Sequence, residues 1–539
     1  EGRPPRFTVR LALTALLLMA CNGTFGDETK DPEVADDDTG TPPVEDTGEP
    51  EDTAPPEETG DTAPVLVDDD RDGFYSIESG GDDCDDGDAS TYPGAPELSD
   101  GIDNDCSGGT TGEGDDDSDT ILDCDDYCPV YAQPGATGDG RVFAPMGTLQ
   151  AAVDEAGASG CNEVRAYYGT YVENVDLGGY GVNVESLSGP AATVVDGDGV
   201  DSCFIIEEDG DGDLDEDNAR VYGFTLTHGG GLYGGGVRVV DCGPTIEGNE
   251  IVDNAIDSGG QGGGIRSYNA WPLIVDNNIS GNDACYGGPE SGCDGGAIAI
   301  RGGSPVIVGN TMEANTAGDG GAIWTAYSDA WIYNNYILGN EADDSAYEDG
   351  EDRDRDGQGG GIDVQIGGST GTLIFNNVIA DNTASSIGGG IVVYEPNDTY
   401  PTTTVANNVI AFNNVLETDW GAGFTQWNGT LPTAYNNAIY GNLGVGVYAD
   451  DAVSTWSFTY NNVSGNYPDY EGSISSGDGT GNLSVSPGFV AASNDVDWTN
   501  DDFHLAAGSS MIDAGRSDVA DTDGSRSDIG GFGGPNGSW

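Results

Sequence analysis

The segment GGAIWTAYSDAWIYNNYILGN, residues 320–340, contains both halves of a repeat that sets the architecture of the chain. Its second half, NYILGN, is one copy of Asn-x-(Ile/Met/Val)-x-x-Asn. The pattern occurs eight times in order, starting at Asn249, Asn277, Asn310, Asn335, Asn377, Asn408, Asn437 and Asn461 and closing at Asn254, Asn282, Asn315, Asn340, Asn382, Asn413, Asn442 and Asn466. Its first half is three small residues followed by an apolar one, and one copy precedes each asparagine motif: GGGV at 234, GGGI at 262, GGAI at 295 and 320, GGGI at 359 and 388, GAGF at 421 and GVGV at 444. Repeat spacings of 24 to 42 residues, with two strand elements in the shortest turn, predict a solenoid of stacked parallel strands. Apolar residues at the third motif position point inward. Asparagines at the turns donate and accept along the stack, and the glycines reach turn angles closed to branched residues.

Strand alternation extends the reading to the outer wall. After each small triplet, Val237, Ile265, Ile298, Ile323, Ile362, Ile391, Phe424 and Val447 face inward. The next residue faces out (Arg238, Arg266, Ala299, Trp324, Asp363, Val392, Thr425, Tyr448), as does the residue two further on (Val240, Tyr268, Arg301, Ala326, Gln365, Tyr394, Trp427, Asp450). One face should therefore carry Arg238, Arg266 and Arg301 flanked by Tyr268, Trp324, Tyr394 and Trp427. Aromatic faces pack on sugar rings, and arginine forks clamp carboxylates or sulfates.

The composition is extreme, with 97 Asp and Glu against 15 Lys and Arg and a net charge of −82. That balance excludes nucleic acid and anionic lipid surfaces as partners and calls for divalent cations where acids cluster. One cluster interrupts the repeat. Residues 341–358 are an insertion ending in DRDRDG, and the alternation of Asp352, Asp354 and Asp356 suits a calcium loop. A glycosidase needs two carboxylates at a defined separation, and strand alternation offers only Asp363 and Asp450, on distant coils. His228 falls where a ladder asparagine is expected and His504 lies in the closing region, so neither reads as a general base.

Arg3, Arg6 and Arg10 precede a short apolar run ending in LMAC at 18–21, which resembles the lipobox of bacterial lipoproteins, with Cys21 as the lipidated residue. Residues 22–66, almost wholly Asp, Glu, Thr, Pro and Gly from 27 onward, read as a disordered stalk. Residues 67–136 carry acidic, disulfide-stapled cassettes. The order D-x-D-x-D-G, GDDCDD, YPGAPE, DGIDNDC over 68–106 resembles the MopE-type metal-binding motif, although Ser99 stands where that family usually has a further Cys. With oxygen ligands and neither His nor Met, the cassette favours calcium over copper, and Asp68, Asp70 and Asp72 are its candidate ligands. DDDSDTILDCDDYCPVYAQPG at 115–135 is distantly similar to a thrombospondin type 3 repeat. Proximity in sequence pairs Cys84 with Cys106 and Cys285 with Cys293. Cys203 with Cys242 is a further pairing, leaving Cys124, Cys128 and Cys161 as an odd set.

Over 140–539, the amphipathic GTLQAAVDEAG at 147–157, with Leu149, Ala152 and Val153 on one side, and the strands that follow resemble the starting cap of right-handed parallel β-helix proteins of the pectate lyase-like class. The segment SPGFV through DTDGSRSDIGGFGG at 486–534 resembles their closing cap, with Asp521, Asp523 and Asp528 as a further acidic group. The expected fold is all-β, a right-handed parallel β-helix solenoid of about ten coils preceded by a disordered acidic linker and a small calcium-type cassette. The resemblance implies polysaccharide lyases, which would make Arg266 or Arg301 a base, with Asp363 and the 341–356 loop supplying calcium. The expected protein is an exported monomer, lipid-anchored at the bacterial outer membrane or cell surface, that binds calcium and recognises an acidic extracellular polysaccharide. The alternatives are a calcium-dependent lyase on the same face or a non-catalytic adhesin or spacer.

Overall fold

The computed structural model describes residues 128–208, 218–257, 259–286, 293–343, 357–394, 403–416, 420–427, 432–450, 457–495 and 497–537, together with Asp70, Phe74, Ile77, Cys84, Asp85, Gly87, Thr91 and Pro93. All of them belong to the compact unit Leu66–Trp539. Cys21, Asp68, Asp72, Cys106, Asp352, Asp354 and Asp356 lie outside the described residues.

The chain winds into a parallel β-helix whose three long sheets contain eleven or twelve strands each. One coil shows the pattern: Val237–Val240, then Thr245–Glu247, Glu250–Val252 and the short Ala255–Asp257. Each coil thus has three strands and, in the middle of the stack, a short fourth, where sequence spacing suggested two. The asparagine motif hides a corner. Gly248 turns at φ +64° immediately before Asn249, separating two three-residue strands that read as one element in the sequence.

The interior is three columns of stacked side chains. Ile265, Ile298, Ile323, Ile362 and Ile391 form one, Ile251, Ile279, Met312, Ile337, Ile379 and Ile410 another, and Ile246, Ile274, Ile307, Ile332 and Ile374 the third. Each such side chain contributes about 1.5–3 kcal/mol on burial. Between the columns run two asparagine ladders. The side-chain oxygen of each asparagine accepts from the backbone N–H and the amide of its counterpart one coil earlier, as Asn340 does from Asn315 at 3.0 and 2.9 Å. Its amide donates to a core-strand carbonyl of the preceding coil, in this case Met312 O at 3.0 Å. The ladders outrun the eight motif copies. The first ends on Asn482, which accepts from Asn461 N, and the second on Asp469, which accepts from Asn466 N.

The helix Leu149–Ala158 closes the N-terminal end of the core. Thr148 caps it by accepting from Ala151 N, the Glu173 carboxylate accepts from Leu149 N and Gln150 N, and Leu149, Ala152, Val153 and Ala156 face the core. The stack begins earlier than residue 140, because Val130–Ala132 already pairs with Glu163–Ala166.

The C-terminal segment differs from its expected role. It does not close the end of the coil but folds back along the outside of the sheet containing Val378–Ala380 and Val409–Ala411. Outward positions in that sheet are apolar (Val378, Ala380, Val409, Ala411, Ala438), and Phe503, Met511 and Ile529 cover them. Asn376 donates to Gly531 O and Gly533 O, fixing the strap. Asp521 accepts from Asp528 N and Gly534 N, so this acidic group has backbone donors as its partners.

Cys285–Cys293 is a disulfide, and so is Cys128–Cys161, which resolves part of the odd set. Cys84 is disulfide-bonded. Cys203 and Cys242 are buried thiols rather than a pair. Phe204 registers with Val237, so Cys203 precedes one strand while Cys242 lies past the end of the next, its Sγ 3.5 Å from the O of Ile206, three residues beyond Cys203.

Candidate functional site

The outer-wall register follows the sequence alignment rung by rung. Arg238 pairs with Arg266, then Ala299, Trp324, Asp363, Val392, Thr425 and Tyr448; Val240 leads through Tyr268, Arg301, Ala326 and Gln365 to Tyr394 and Trp427. What the register does not convey is exposure, and there the wall divides.

The early coils are partly open. Arg238 is spoken for, because it is ion-paired to Glu207 at 2.7 Å and Asp201 at 3.3 Å. Arg266 is not. Its guanidinium carbon lies 4.0 Å from the Tyr233 ring centroid and 4.7 Å from that of Tyr268, and no carboxylate among the described residues pairs with it. Burial lowers its pKa from the usual arginine value, yet the group stays charged. Arg301 is exposed, with Tyr327 at 5.9 Å. At the far end Trp420, Trp427 and Tyr448 cluster, Trp420 lying 4.5 Å from Trp427 and 5.3 Å from Tyr448. Tyr394, on the rung before Trp427, is half-buried.

The middle coils are closed over. Trp324, expected as an exposed stacking platform, is 4 % exposed and packs with Ala299 and Ala326. Asp363 faces outward but is fully buried, and burial pushes its carboxyl up to about 8, with Asp294 adding to the rise. Its Oδ2 accepts from Gln365 Nε2 at 2.9 Å, while Oδ1 has no partner. The indole N–H of Trp324, one rung away, has none either.

The carboxylates beside Asp363 were not those that strand alternation offered. Asp294 and Asp319 precede the small triplets and belong to a row of bridges joining Tyr233, Gln261, Asp294 and Asp319 in parallel. Gly320, at φ +63°, folds this row back against the wall, and a Cβ there would lie 2.5 Å from Ile323 O. Asp319 Oδ2 accepts from the same Gln365 nitrogen at 3.2 Å, and its Oδ1 accepts from Gln358 N at 3.0 Å. Gln261 Nε2 donates to Asp294 at 2.7 Å. Both aspartates are less than a tenth exposed. The signal in the sequence was the residue before each glycine triplet, where Gln, Asp, Asp and Gln succeed one another at 261, 294, 319 and 358.

The histidines stand apart. His228 takes the turn position of Asp253, at φ +52°, and contacts Asp196 at 3.1 Å; the ladder position that the sequence suggested for it is Gly229, which donates to Asn254 Oδ1. His504 stacks on Phe532. Of the acidic cassette, the described Asp70 is half-buried.

Residues 209–410 match the right-handed β-helix region family model, and residues 83–111 match the MopE metal-binding motif, so Asp68, Asp70 and Asp72 lie ahead of the matched stretch. No curated protein matches the chain. Among solved structures, pectate lyase Pel9A is 18% identical, with 75% of this chain and 95% of that one covered, at a TM-score of 0.47. The surface protein and adhesin PfbA of Streptococcus pneumoniae is 14% identical over 65% and 95%, at 0.33. The mannuronan C-5 epimerase AlgE4 A-module of Azotobacter vinelandii is 16% identical over 62% and 87%, at 0.31. The likeness extends to the coil and no further.

Proposed function

We propose that the outer wall binds an acidic extracellular polysaccharide, with Arg266 and Arg301 gripping its anionic groups and Tyr268, Tyr394 and Trp427 stacking on its sugar rings. The observation that carries this reading is the setting of Arg266. In a chain with 97 carboxylates it is held between two tyrosines, with its charge unspent on any carboxylate among the described residues. Rings on either side orient the fork toward a planar anion and limit the entropy lost on binding. Arg238 supports the contrast, since the same rung position one coil earlier is neutralised internally.

Calcium is the cation we assign to the acidic cassette at 67–136 and to the insertion at 341–358. Asp, Glu and carbonyl oxygens without histidine or methionine suit a hard cation, and a net charge of −82 rewards its capture. The run ending at Cys21 supports a lipid anchor. Two disulfides among the described residues fit an exported protein. No helix among those residues is long and apolar enough to cross a membrane.

The test is calorimetric titration of the full-length chain with hexamers of galacturonate, mannuronate and guluronate, with calcium and in chelator. Binding that Arg266→Ala weakens and Arg238→Ala leaves alone supports the reading. Binding unchanged in an Arg266→Ala, Arg301→Ala double variant would refute it.

A further inference from the structure

We propose that Asp363 and Asp319 form a paired-carboxyl centre that hydrolyses a glycosidic bond, in the glycan whose binding to the wall is proposed above and on whose reading this rests. The geometry begins with Gln365. One side-chain nitrogen donates to Asp363 at 2.9 Å and to Asp319 at 3.2 Å, which holds the two carboxyl oxygens no more than about 6 Å apart. That is nearer the close spacing of configuration-retaining glycosidases than the wider spacing that admits a water between the carboxyls. Gln365 itself is partly exposed, so the pair lies one side chain beneath the surface.

The two carboxyls have different surroundings. Asp319 accepts from a backbone N–H and from Gln365, donors that suit an ionised carboxylate. Asp363 is fully buried with Asp294 and Asp319 as its acidic neighbours, and burial favours its protonated form. A proton donor beside a carboxylate is the division of labour that glycoside cleavage needs.

A second observation points to a ligand in the same place. Trp324, on the rung beside Asp363, has a buried indole N–H with no acceptor, and Asp363 Oδ1 is a buried oxygen with no partner. Each omission is costly, and native proteins rarely leave two on neighbouring rungs. A cation would satisfy the oxygen but repel the N–H. An oxygen-bearing ligand satisfies both, since its oxygen accepts from Trp324 and its hydroxyl, or the glycosidic oxygen in its turn, engages Asp363.

The reaction balances with water alone. Asp363 gives its proton to the glycosidic oxygen as the bond from that oxygen to the anomeric carbon breaks, and Asp319 takes the anomeric carbon as an ester. Asp363, now ionised, removes a proton from water. The resulting oxygen displaces Asp319, which restores both carboxyls and releases a sugar of unchanged anomeric configuration. Gln365 is a positioning residue, holding the two carboxyls in register. Arg301 stands two rungs, about 10 Å, before Gln365 in the same outward row, where it can grip an anionic group of the same chain.

The experiment uses the full-length chain and whichever of the galacturonate, mannuronate and guluronate hexamers binds in the titration above. New reducing ends, with retained configuration by proton NMR of the first products, are the expected result. Asp363→Asn and Asp319→Asn should each cut the rate by about a hundred- to ten-thousand-fold at saturating hexamer. Binding without new reducing ends, or release of unsaturated ends instead, overturns the hydrolytic centre and leaves recognition standing. If none of the hexamers binds, the recognition reading falls and takes this proposal with it. Because wild-type product analysis decides the matter alone, a variant that fails to fold does not block the test.

Discussion

The asparagine ladders and the carboxyl group of the middle coils are both rows of buried polar side chains in the same solenoid, yet they are completed in opposite ways. Along the ladders each side-chain oxygen receives donors from the coil before, and each amide finds a carbonyl; Asn315, Asn340 and Asn382 form an unbroken series. On the wall, Trp324 and Asp363 are as deeply buried, but one is left without an acceptor and the other with an unused oxygen. Completed rows hold the fold together. Incomplete ones store a cost that a ligand can relieve, and this is why the two call for different experiments.

The largest effect should come from the ladder. Asn340→Ala would orphan the Asn315 N–H, take one acceptor from the Asn315 amide and remove the amide donor from the Met312 carbonyl, and is expected to destabilise the chain by about 3 kcal/mol, measured by denaturant unfolding. A loss below about 1 kcal/mol would show that the ladder is incidental to stability and erase the contrast.

Next comes Asp363. Its carboxyl is raised in the folded state, so the folded chain keeps a proton that the unfolded chain gives up near pH 4. Stability should therefore fall as pH rises from about 4 toward 8 and level off above that. Asp363→Asn should remove this contribution, being more stable than wild type at pH 8 by several kcal/mol and about equal to it at pH 4, by denaturant unfolding at the two pH values. Equal stability at both pH values would mean that Asp363 is ionised and solvated.

Arginine substitutions sharpen the division within the wall. Arg266→Ala should weaken hexamer binding by roughly ten- to a hundred-fold, since a charged hydrogen bond contributes about 1.5–3 kcal/mol. Arg238→Ala, already paired to Glu207 and Asp201, should change it by less than about threefold.

The smallest effect is the most diagnostic. Trp324→Phe keeps a packing ring and removes only the unsatisfied N–H, so thermal melting of the free chain should hold or improve by up to about 1 kcal/mol while hexamer affinity falls. A ladder amide removed in the same way can only destabilise.

Much of this was legible in the repeat. The inward column from Val237 to Val447, the outward rows containing Arg266 and Asp363, and the ladder asparagines follow from a period-2 strand placed after each glycine triplet, and the register agrees at every rung. Asp319 escaped that reasoning because it precedes the triplet, and strand alternation does not extend through a left-handed glycine turn. Trp324 was misplaced for a related reason. Alternation gives the direction of a side chain but not what later covers it.

The sequence by itself therefore determined the solenoid, the phase of its strands and the identity of the residues in each row, because these depend on neighbours close along the chain and on repetition. Tertiary structure alone decided that Arg238 is neutralised and Arg266 is not, that the C-terminal strap lies along a sheet, and that Asp363 and Asp319 share one amide nitrogen. Those facts arise between residues tens of positions apart, where a few ångströms and the loss of water set the charge and partners of each group.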